Sequence, residues 1–306
     1  MNIEQKGIKM ALLTALISGF AVFINKFAIT NWASSSVFAT SRNIITAIFL
    51  IAFLVSLKKF AELKNISRAN WIKLALIGLI GGSIAFLMFF KALTLMSSTE
   101  AALIHKTLFL WVALFSYPFL KERLNLWQFA GLALFASAIF MPGITGTWTF
   151  GSGFWLALGA TILWSAENII AKITLKEVSP TVVAWARMFF GSMFLAVFVI
   201  ATGEARALVP SSLAQAGWMI FSGAILFGYV TTWYYALKHS PATVVSSILV
   251  IAAPITVFLN SIFVTHTFPT RTIVPAIIMV LGILFISKQF EHLYSKYIKR
   301  RESAYS

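Results

Sequence analysis

The sequence predicts an all-α integral membrane protein, ten transmembrane helices arranged as two inverted five-helix repeats. Three observations carry this reading. Apolar stretches of spanning length fill the chain from end to end, basic residues gather in alternate connections, and the second half repeats the spacing of the first. Of 306 residues, 59% are hydrophobic and only 11% charged, whereas soluble domains carry roughly 25% charged residues. Mean hydropathy is +0.89. No water-soluble surface can be assembled from such a chain.

A spanning helix needs about 20 apolar residues to cross roughly 30 Å of hydrocarbon, because every backbone polar group has to be satisfied inside the segment. Spans read this way fall at 8–27, 36–57, 71–95, 99–120 and 125–141, then at 153–173, 181–201, 213–237, 243–265 and 271–288. The first follows Met1 to Lys6 with no small-residue cleavage site ahead of a soluble domain, so it reads as a retained helix. Pro142 to Gly153 is an uncharged connection with four glycines that divides the chain near its middle. The organisation is thus a first repeat at 1–143, a linker at 144–152, a second repeat at 153–288 and a basic tail at 289–306. In the tail, Phe290, Leu293, Tyr294, Tyr297 and Ile298 recur at helical spacing opposite basic residues. It reads either as an amphipathic extension on the membrane surface or as a solvated basic tail that fixes orientation.

The formal net charge of +15 is a topology signal. Seventeen Lys and Arg, from Lys6 to Arg301, lie in or beside one set of alternate connections, and only Arg206 and Arg271 lie in the other. The positive-inside rule then puts both termini of this multi-pass protein in the cytoplasm. Attraction to anionic lipid follows as a by-product, and no nucleic-acid partner is implied. Cysteine and aspartate are both absent, which removes disulfides, thiolate nucleophiles and iron–sulfur ligation. There is no Walker A loop, H-E-x-x-H, G-x-S-x-G or zinc spacing, and no extramembrane segment long enough for a catalytic domain. ATP-driven transport by this chain alone is excluded, and no enzyme activity, metal, cofactor or obligate protein partner is expected.

Sliding the second half back by 145 residues pairs Thr40-Ser41-Arg42 with Trp185-Ala186-Arg187. At 144 residues, Phe90-Lys91-Ala92-Leu93 falls on Tyr234-Tyr235-Ala236-Leu237, and Leu120-Lys121-Glu122 on Val264-Thr265-His266. Five spans per copy is an odd number, so the second copy enters the membrane upside down. Inverted repeats are a recurrent plan of secondary transporters, with a site near the midplane and two pseudo-equivalent access states.

In each half the third and fourth spans carry an Ala-Leu pair, a short turn, a small-residue run and a closing polar residue. These are Lys91-Ala92-Leu93 through Leu120-Lys121-Glu122-Arg123-Leu124, and Tyr235-Ala236-Leu237 through Pro254 to His266. In this the chain resembles the EamA type of the drug/metabolite transporter superfamily, from about residue 8 to 288. The resemblance implies an inverted ten-helix fold whose central cavity is lined by the first, third and fourth helices of each half. It also implies movement of a small metabolite or drug by alternating access. Two departures stand out. His266 occupies the place of the family's usual glutamate, and Leu110 occupies the place taken by Pro254 in the second copy.

An ionisable group at membrane depth costs roughly 2.5–3.5 kcal/mol on insertion scales, so each one needs a partner, a wet cavity or a route to the interface. The deep candidates are Lys26, Arg42, Lys91, Glu100, His105, Lys106, Glu167 and Arg187. Arg42 and Arg187 form a symmetric pair. Arg42 reads as structural, and Arg187 as either structural or the planar fork for a carboxylate or phosphate. Glu167 sits on the sixth span, with Trp164 and Ala171 on the same face and Asn168 beside it; it can exchange a proton, bind a cationic amine or simply pair with Lys172 or Arg187. His105 suits proton coupling or a hydrogen-bonded packing role, and Lys106 favours an anionic group if it faces the cavity. Glu100 reads as interfacial.

Gly19, Phe23 and Lys26 share one face of the first span, where Gly19 admits a close neighbour. Tyr229, Thr232, Trp233 and Ala236 form a stripe on the eighth span, and Ser247, Val250, Ile251 and Pro254 another on the ninth; aromatic members of such stripes can stack on flat substrate groups. Pro254 frees a carbonyl one turn earlier and marks a hinge, which the first half lacks, so the two halves are expected to bend differently.

The candidate substrate-binding or coupling set is therefore Phe23, Lys26, His105, Lys106, Trp164, Glu167, Asn168, Arg187, Tyr229, Trp233 and Ser247, with Gly19, Arg42 and Pro254 structural. The surplus of deep basic residues points to small-molecule substrates with an anionic group, such as amino acids or other carboxylated metabolites, moved by a secondary transporter that is expected to be an exporter. A cationic or amphipathic drug balanced by Glu167 is the alternative, ahead of a passive channel or a membrane-embedded enzyme.

Overall fold

Continuously apolar sequence forms the helices, and serines start several of them. Ser34 Oγ accepts from Val37 N, Ser67 Oγ from Asn70 N, Ser97 Oγ from Glu100 N and Ser212 Oγ from Gln215 N. Each satisfies an N–H that has no carbonyl within its own helix. The computed structural model describes residues 3–122, 125–140 and 150–267, with isolated positions 274, 277–278, 281–282 and 285 beyond them. Its helices are α1 (Ile3–Ala28), α2 (Ser35–Ser56), α3 (Arg68–Leu79), α4 (Ala85–Leu95), α5 (Ser98–Lys106), α6 (Leu108–Leu120), α7 (Leu126–Phe140), α8 (Ser152–Thr174), α9 (Pro180–Ala201), α10 (Leu213–His239), α11 (Ala242–Ile248) and α12 (Ala252–Asn260).

Among the described residues, eight stretches are long and apolar enough to cross a bilayer: Ile3–Asn31, Ser35–Ser56, Arg68–Leu95, Ser98–Leu120, Ser152–Thr174, Pro180–Ala201, Leu213–His239 and Ala242–Thr265. They correspond to the expected spans one to four and six to nine. The expected fifth span corresponds to α7, of which 15 residues are described, or about 22 Å at 1.5 Å per residue. Most of the tenth span at 271–288, the tail and most of the linker lie outside the described residues. Exposure is distributed as lipid requires. Leu114, Val197 and Ile200 are exposed on the outside, while Arg42, Lys106, Glu167 and Arg187 are buried in the centre.

The packing is duplicated. The first span (α1) lies on the eighth (α10) and ninth (α12), as the sixth (α8) lies on the third (α4) and fourth (α6). The second and seventh spans, α2 and α9, meet each other at the centre. Hydrogen bonds repeat the relation. Lys26 Nζ donates to the carbonyls of Leu93 and Met96 at the end of the third span, and Lys172 Nζ donates to those of Leu237 and Ser240 at the end of the eighth. A cation at helix C-terminal carbonyls satisfies them and complements the dipole. Glu204 accepts from Ser34 Oγ on one face, and Glu62 accepts from Ser179 N on the other. The four positive-φ residues among those described also pair at 145 residues: Lys58 with Gly203, and Lys121 with His266. With an odd number of spans per copy, the paired features fall on opposite faces of the membrane.

Two expectations are corrected. The left-handed residues that close the fourth and ninth spans are Lys121 and His266, so Glu122 corresponds to Thr267 and not to His266. The one-residue slip comes from a π-helical stretch, Ser261–Thr265, which winds an extra residue into the end of the ninth span. Nor do the halves differ in where they break. The ninth span passes through a 3₁₀ turn at Leu249–Ile251, one turn before Pro254, and the fourth breaks at the equivalent level, at Thr107 between α5 and α6. There the Thr107 hydroxyl bonds to the Ile104 carbonyl, which achieves without proline the disturbance that Pro254 causes by lacking an N–H.

The slip has an energetic side. Glu122 accepts from Ala242 N at 2.9 Å, Thr243 N at 3.2 Å and Thr243 Oγ1 at 2.9 Å, capping α11, which begins at Pro241 with no side-chain cap of its own. On the opposite face Thr267 bonds only to Thr265 Oγ1, and α5 is capped locally by a Ser97–Glu100 capping box. Glu122→Ala is expected to destabilise the protein by about 1–3 kcal/mol, since two backbone donors lose a charged acceptor. Thr267→Ala is expected to stay within about 0.5 kcal/mol. Thermal melting of the two variants in the same detergent checks the contrast.

Candidate functional site, a cation-lined cavity between the repeats

A narrow cavity opens between the repeats, lined by the first, second, third, fourth, sixth, seventh and eighth spans. Its polar wall holds Arg42, Arg187, His105, Ser18 and Asn25; its apolar wall holds Phe86, Phe89, Phe90, Trp164, Ile225 and Leu226. A smaller space adjoins it across His105, Trp164, Arg187 and Tyr229, and reaches Glu167, Asn168 and Trp233.

Arg187 is held from three sides. Its Nη1 donates to Tyr234 Oη at 3.3 Å, Nη2 donates to the Gly81 carbonyl at 3.0 Å, and Nη1 lies 3.9 Å from Glu167 Oε2. Glu167 Oε1 accepts from the Tyr234 hydroxyl at 2.5 Å, so carboxylate, phenol and guanidinium close a ring. The Gly81 carbonyl is free to accept because Ile80–Ile84 winds as a π-helix, which releases backbone groups from the regular ladder. It also takes the Trp164 Nε1–H at 2.9 Å. Glycine is required there for proximity: a Cβ at Gly81 would lie 2.5 Å from Glu167 Cγ.

Arg42 is surrounded differently. It is 3% exposed and its side chain makes no hydrogen bond among the described residues, with Nε and Nη2 buried without a partner there. Its guanidinium carbon lies 4.5 Å from the Phe90 ring centre, 4.8 Å from Phe86 and 5.8 Å from Phe38. Cation–π attraction covers the faces of the ion and leaves its N–H edges unmet. Phe86 serves both arginines, with Arg187 at 5.5 Å from the same ring.

On the fourth span, Lys106 is 1% exposed, and its Nζ donates to Ser18 Oγ at 2.9 Å and lies 3.3 Å from His105 Nδ1. An ammonium only donates, so Nδ1 accepts and the imidazole proton is assigned to Nε2. The His105 ring packs on Trp164 at 4.8 Å and Phe89 at 5.4 Å. Three basic side chains, Arg42, Lys106 and Arg187, and one carboxylate, Glu167, are thus buried in the centre, and among the described residues only Arg187 lies within ion-pair distance of Glu167.

Of the residues singled out in the sequence, His105, Trp164, Glu167, Asn168, Arg187, Tyr229 and Trp233 come together around these two spaces. Asn168 Oδ1 accepts from Trp233 Nε1, and Tyr229 stacks on Trp233 at 6.0 Å. Lys106 sits behind the wall, on Ser18. The others are placed elsewhere. Lys26 is spent on helix-end carbonyls, Phe23 packs on Phe27 and Phe263, and Ser247 bonds within its own helix to the Thr243 carbonyl. Lys91 is exposed, and Glu100 belongs to the capping box. Gly19 meets the ninth span, where Thr256 Oγ1 donates to its carbonyl. Arg42, read as structural, lines the cavity, and the Gly81 carbonyl was not anticipated. The adjacent Gly81 and Gly82 in mid-span were the available sign of it.

An inverted-repeat bundle enclosing a charged cavity at mid-membrane defines a carrier-type membrane protein. The chain belongs to the EamA-like transporter family, whose sequence profile matches it twice, at 5–142 and 151–288. It is 27% identical over 188 residues to an uncharacterized transporter of Archaeoglobus fulgidus, covering 59% of this chain and 63% of that protein. It is 24% identical over 250 residues to one of Clostridium kluyveri, covering 78% and 79%. A solved crystal structure covers 89% of this chain, and 96% of itself, at a TM-score of 0.65 and 16% identity, a likeness of fold alone.

Removing one member of a buried ion pair strands the other charge, at a cost of about 3–5 kcal/mol. Glu167→Ala is therefore expected to lower the melting temperature sharply, while the apolar double variant Glu167→Leu/Arg187→Met recovers most of the loss. Melting of the three proteins side by side in detergent checks this.

Proposed function

We propose that the protein is a secondary transporter that exports small metabolites bearing an anionic group, amino acids or other carboxylated compounds, by alternating access across the cell membrane. The observation that carries the reading is the charge imbalance of the site. Arg42, Lys106 and Arg187 are buried in the centre with a single carboxylate, Glu167, and buried charge without a counter-charge is costly. An anionic substrate supplies the missing charge. The rings of Phe86, Phe89, Phe90 and Trp164 suit an apolar or flat remainder.

The mid-span breaks in the fourth and ninth spans support movement about the cavity, and the paired Glu204 and Glu62 contacts give each face a closing bond. The basic connections put both termini in the cytoplasm. Asn25 and Phe90 line the cavity from the halves of their spans nearer the other face, which is the release side of an exporter. A cationic drug balanced by Glu167 is less well supported, because that carboxylate already lies beside Arg187 and adjoins only the smaller space.

Purified protein in liposomes loaded with unlabelled amino acids is expected to take up the labelled compound in a saturable manner, accelerated by the compound inside. No flux above empty liposomes, or counterflow of lipophilic cations alone, would refute the reading. Flux without trans-acceleration would mark a channel, and recovery of an altered compound an enzyme.

A further inference from the structure

The two central arginines are equivalents in a duplicated fold, yet only one of them has partners. Each of the three groups that hold Arg187 has a counterpart in the other repeat. Lys26 and Lys172 are structurally equivalent, which sets the register of the first and sixth spans and places Ala21 opposite Glu167. Tyr234 corresponds to Phe90. The level of the Gly81 carbonyl is taken by Ile225 and Leu226 in α10, which runs unbroken from Leu213 to His239 and keeps its carbonyls in the helix ladder. The carboxylate, the hydroxyl and the free carbonyl are therefore all missing around Arg42. The residues that stand in their places, Ala21, Phe90, Ile225 and Leu226, line the same cavity as Arg42.

We infer that Arg42 binds the substrate's carboxylate, which takes up, in the space left at Ala21, the place that Glu167 holds beside Arg187. The inference rests on the transport reading above and gives its site a seat. The unpartnered atoms of Arg42 are Nε and Nη2, which lie along one edge of the guanidinium. Two parallel N–H groups on one edge match the two oxygens of a carboxylate. Phe86 and Phe90 cover the faces of the ion and hold that edge in one orientation before substrate arrives. The protein thus carries an internal copy of its own bound state: the Glu167–Arg187 pair is the substrate complex rendered in side chains.

The copy suggests a direct test, an Ala21→Glu variant in which the chain supplies its own carboxylate to Arg42. Wild type, Ala21→Glu, Arg42→Ala, Arg42→Lys and Ala21→Glu/Arg42→Ala are compared by thermal melting, and by counterflow of labelled L-leucine and L-phenylalanine, with phenethylamine as the carboxylate-free probe. Ala21→Glu is expected to melt above wild type, and the double variant is expected to lose that gain. Arg42→Ala should fold, having no hydrogen bond to lose, yet exchange both amino acids about tenfold more slowly or worse, with Arg42→Lys in between. Ala21→Glu should not exchange them, and phenethylamine should not be carried.

A folded Arg42→Ala protein that exchanges at the wild-type rate would overturn the inference and leave the transport reading intact. So would an Ala21→Glu protein that exchanges normally, or one that melts no higher than the double variant. If wild type moves neither amino acid while Ala21→Glu still melts higher through Arg42, the carboxylate seat stands and the amino-acid reading falls.

Discussion

The centre of the molecule is organised by the need to give one buried guanidinium its partners. Arg187 draws a carboxylate from the sixth span, a phenol from the eighth and a carbonyl from the third, so its charge ties four spans to one point. Each contribution has a local cause. The carbonyl exists because Gly81 and Gly82 let the third span wind loosely, and the carboxylate can come so close because Gly81 has no side chain. Around that point the aromatic rings of Phe86, Trp164 and Tyr234 find fixed positions, and the cavity takes its shape from them.

Much of the architecture was legible in the chain. Apolar length gave the eight full spans observed, because lipid permits few backbone solutions and helices are the simplest. The Arg42–Arg187 register was visible at 145 residues because charged residues are rare enough in such a sequence to act as markers. The register failed by one residue at the end of the ninth span, since a π-turn adds a residue without altering composition. Pro254 was readable as a break, but the matching break at Thr107 was not, because a hydroxyl bonding back to its own helix leaves little trace in sequence.

The site divides along the same line. His105, Glu167 and Arg187 could be singled out because ionisable groups inside a membrane need a reason to be there. Which way each one faces is decided by neighbours on other spans. Lys26 and Lys106 look alike in the sequence, yet one finds helix-end carbonyls and the other a serine behind the cavity wall. Arg42 was read as structural for a related reason. Symmetry with Arg187 suggested a shared structural task, whereas the difference between them lies in what the surrounding positions have lost.

Duplication in this chain has not produced equality between its two faces. On the face with the Glu122 cap, the fourth and ninth spans are joined across the repeats by a carboxylate on two backbone donors. On the other face the corresponding helix start is closed from within, by Ser97 and Glu100 of its own segment. Parting the first pair breaks a bond between the halves; parting the second breaks none among the described residues. A difference of about 1–3 kcal/mol between the two doors weights the resting populations by roughly 5- to 150-fold. On the proposed alternating-access reading, the side held by Glu122 is the one that rests shut, a lopsidedness that comes from a single glutamate.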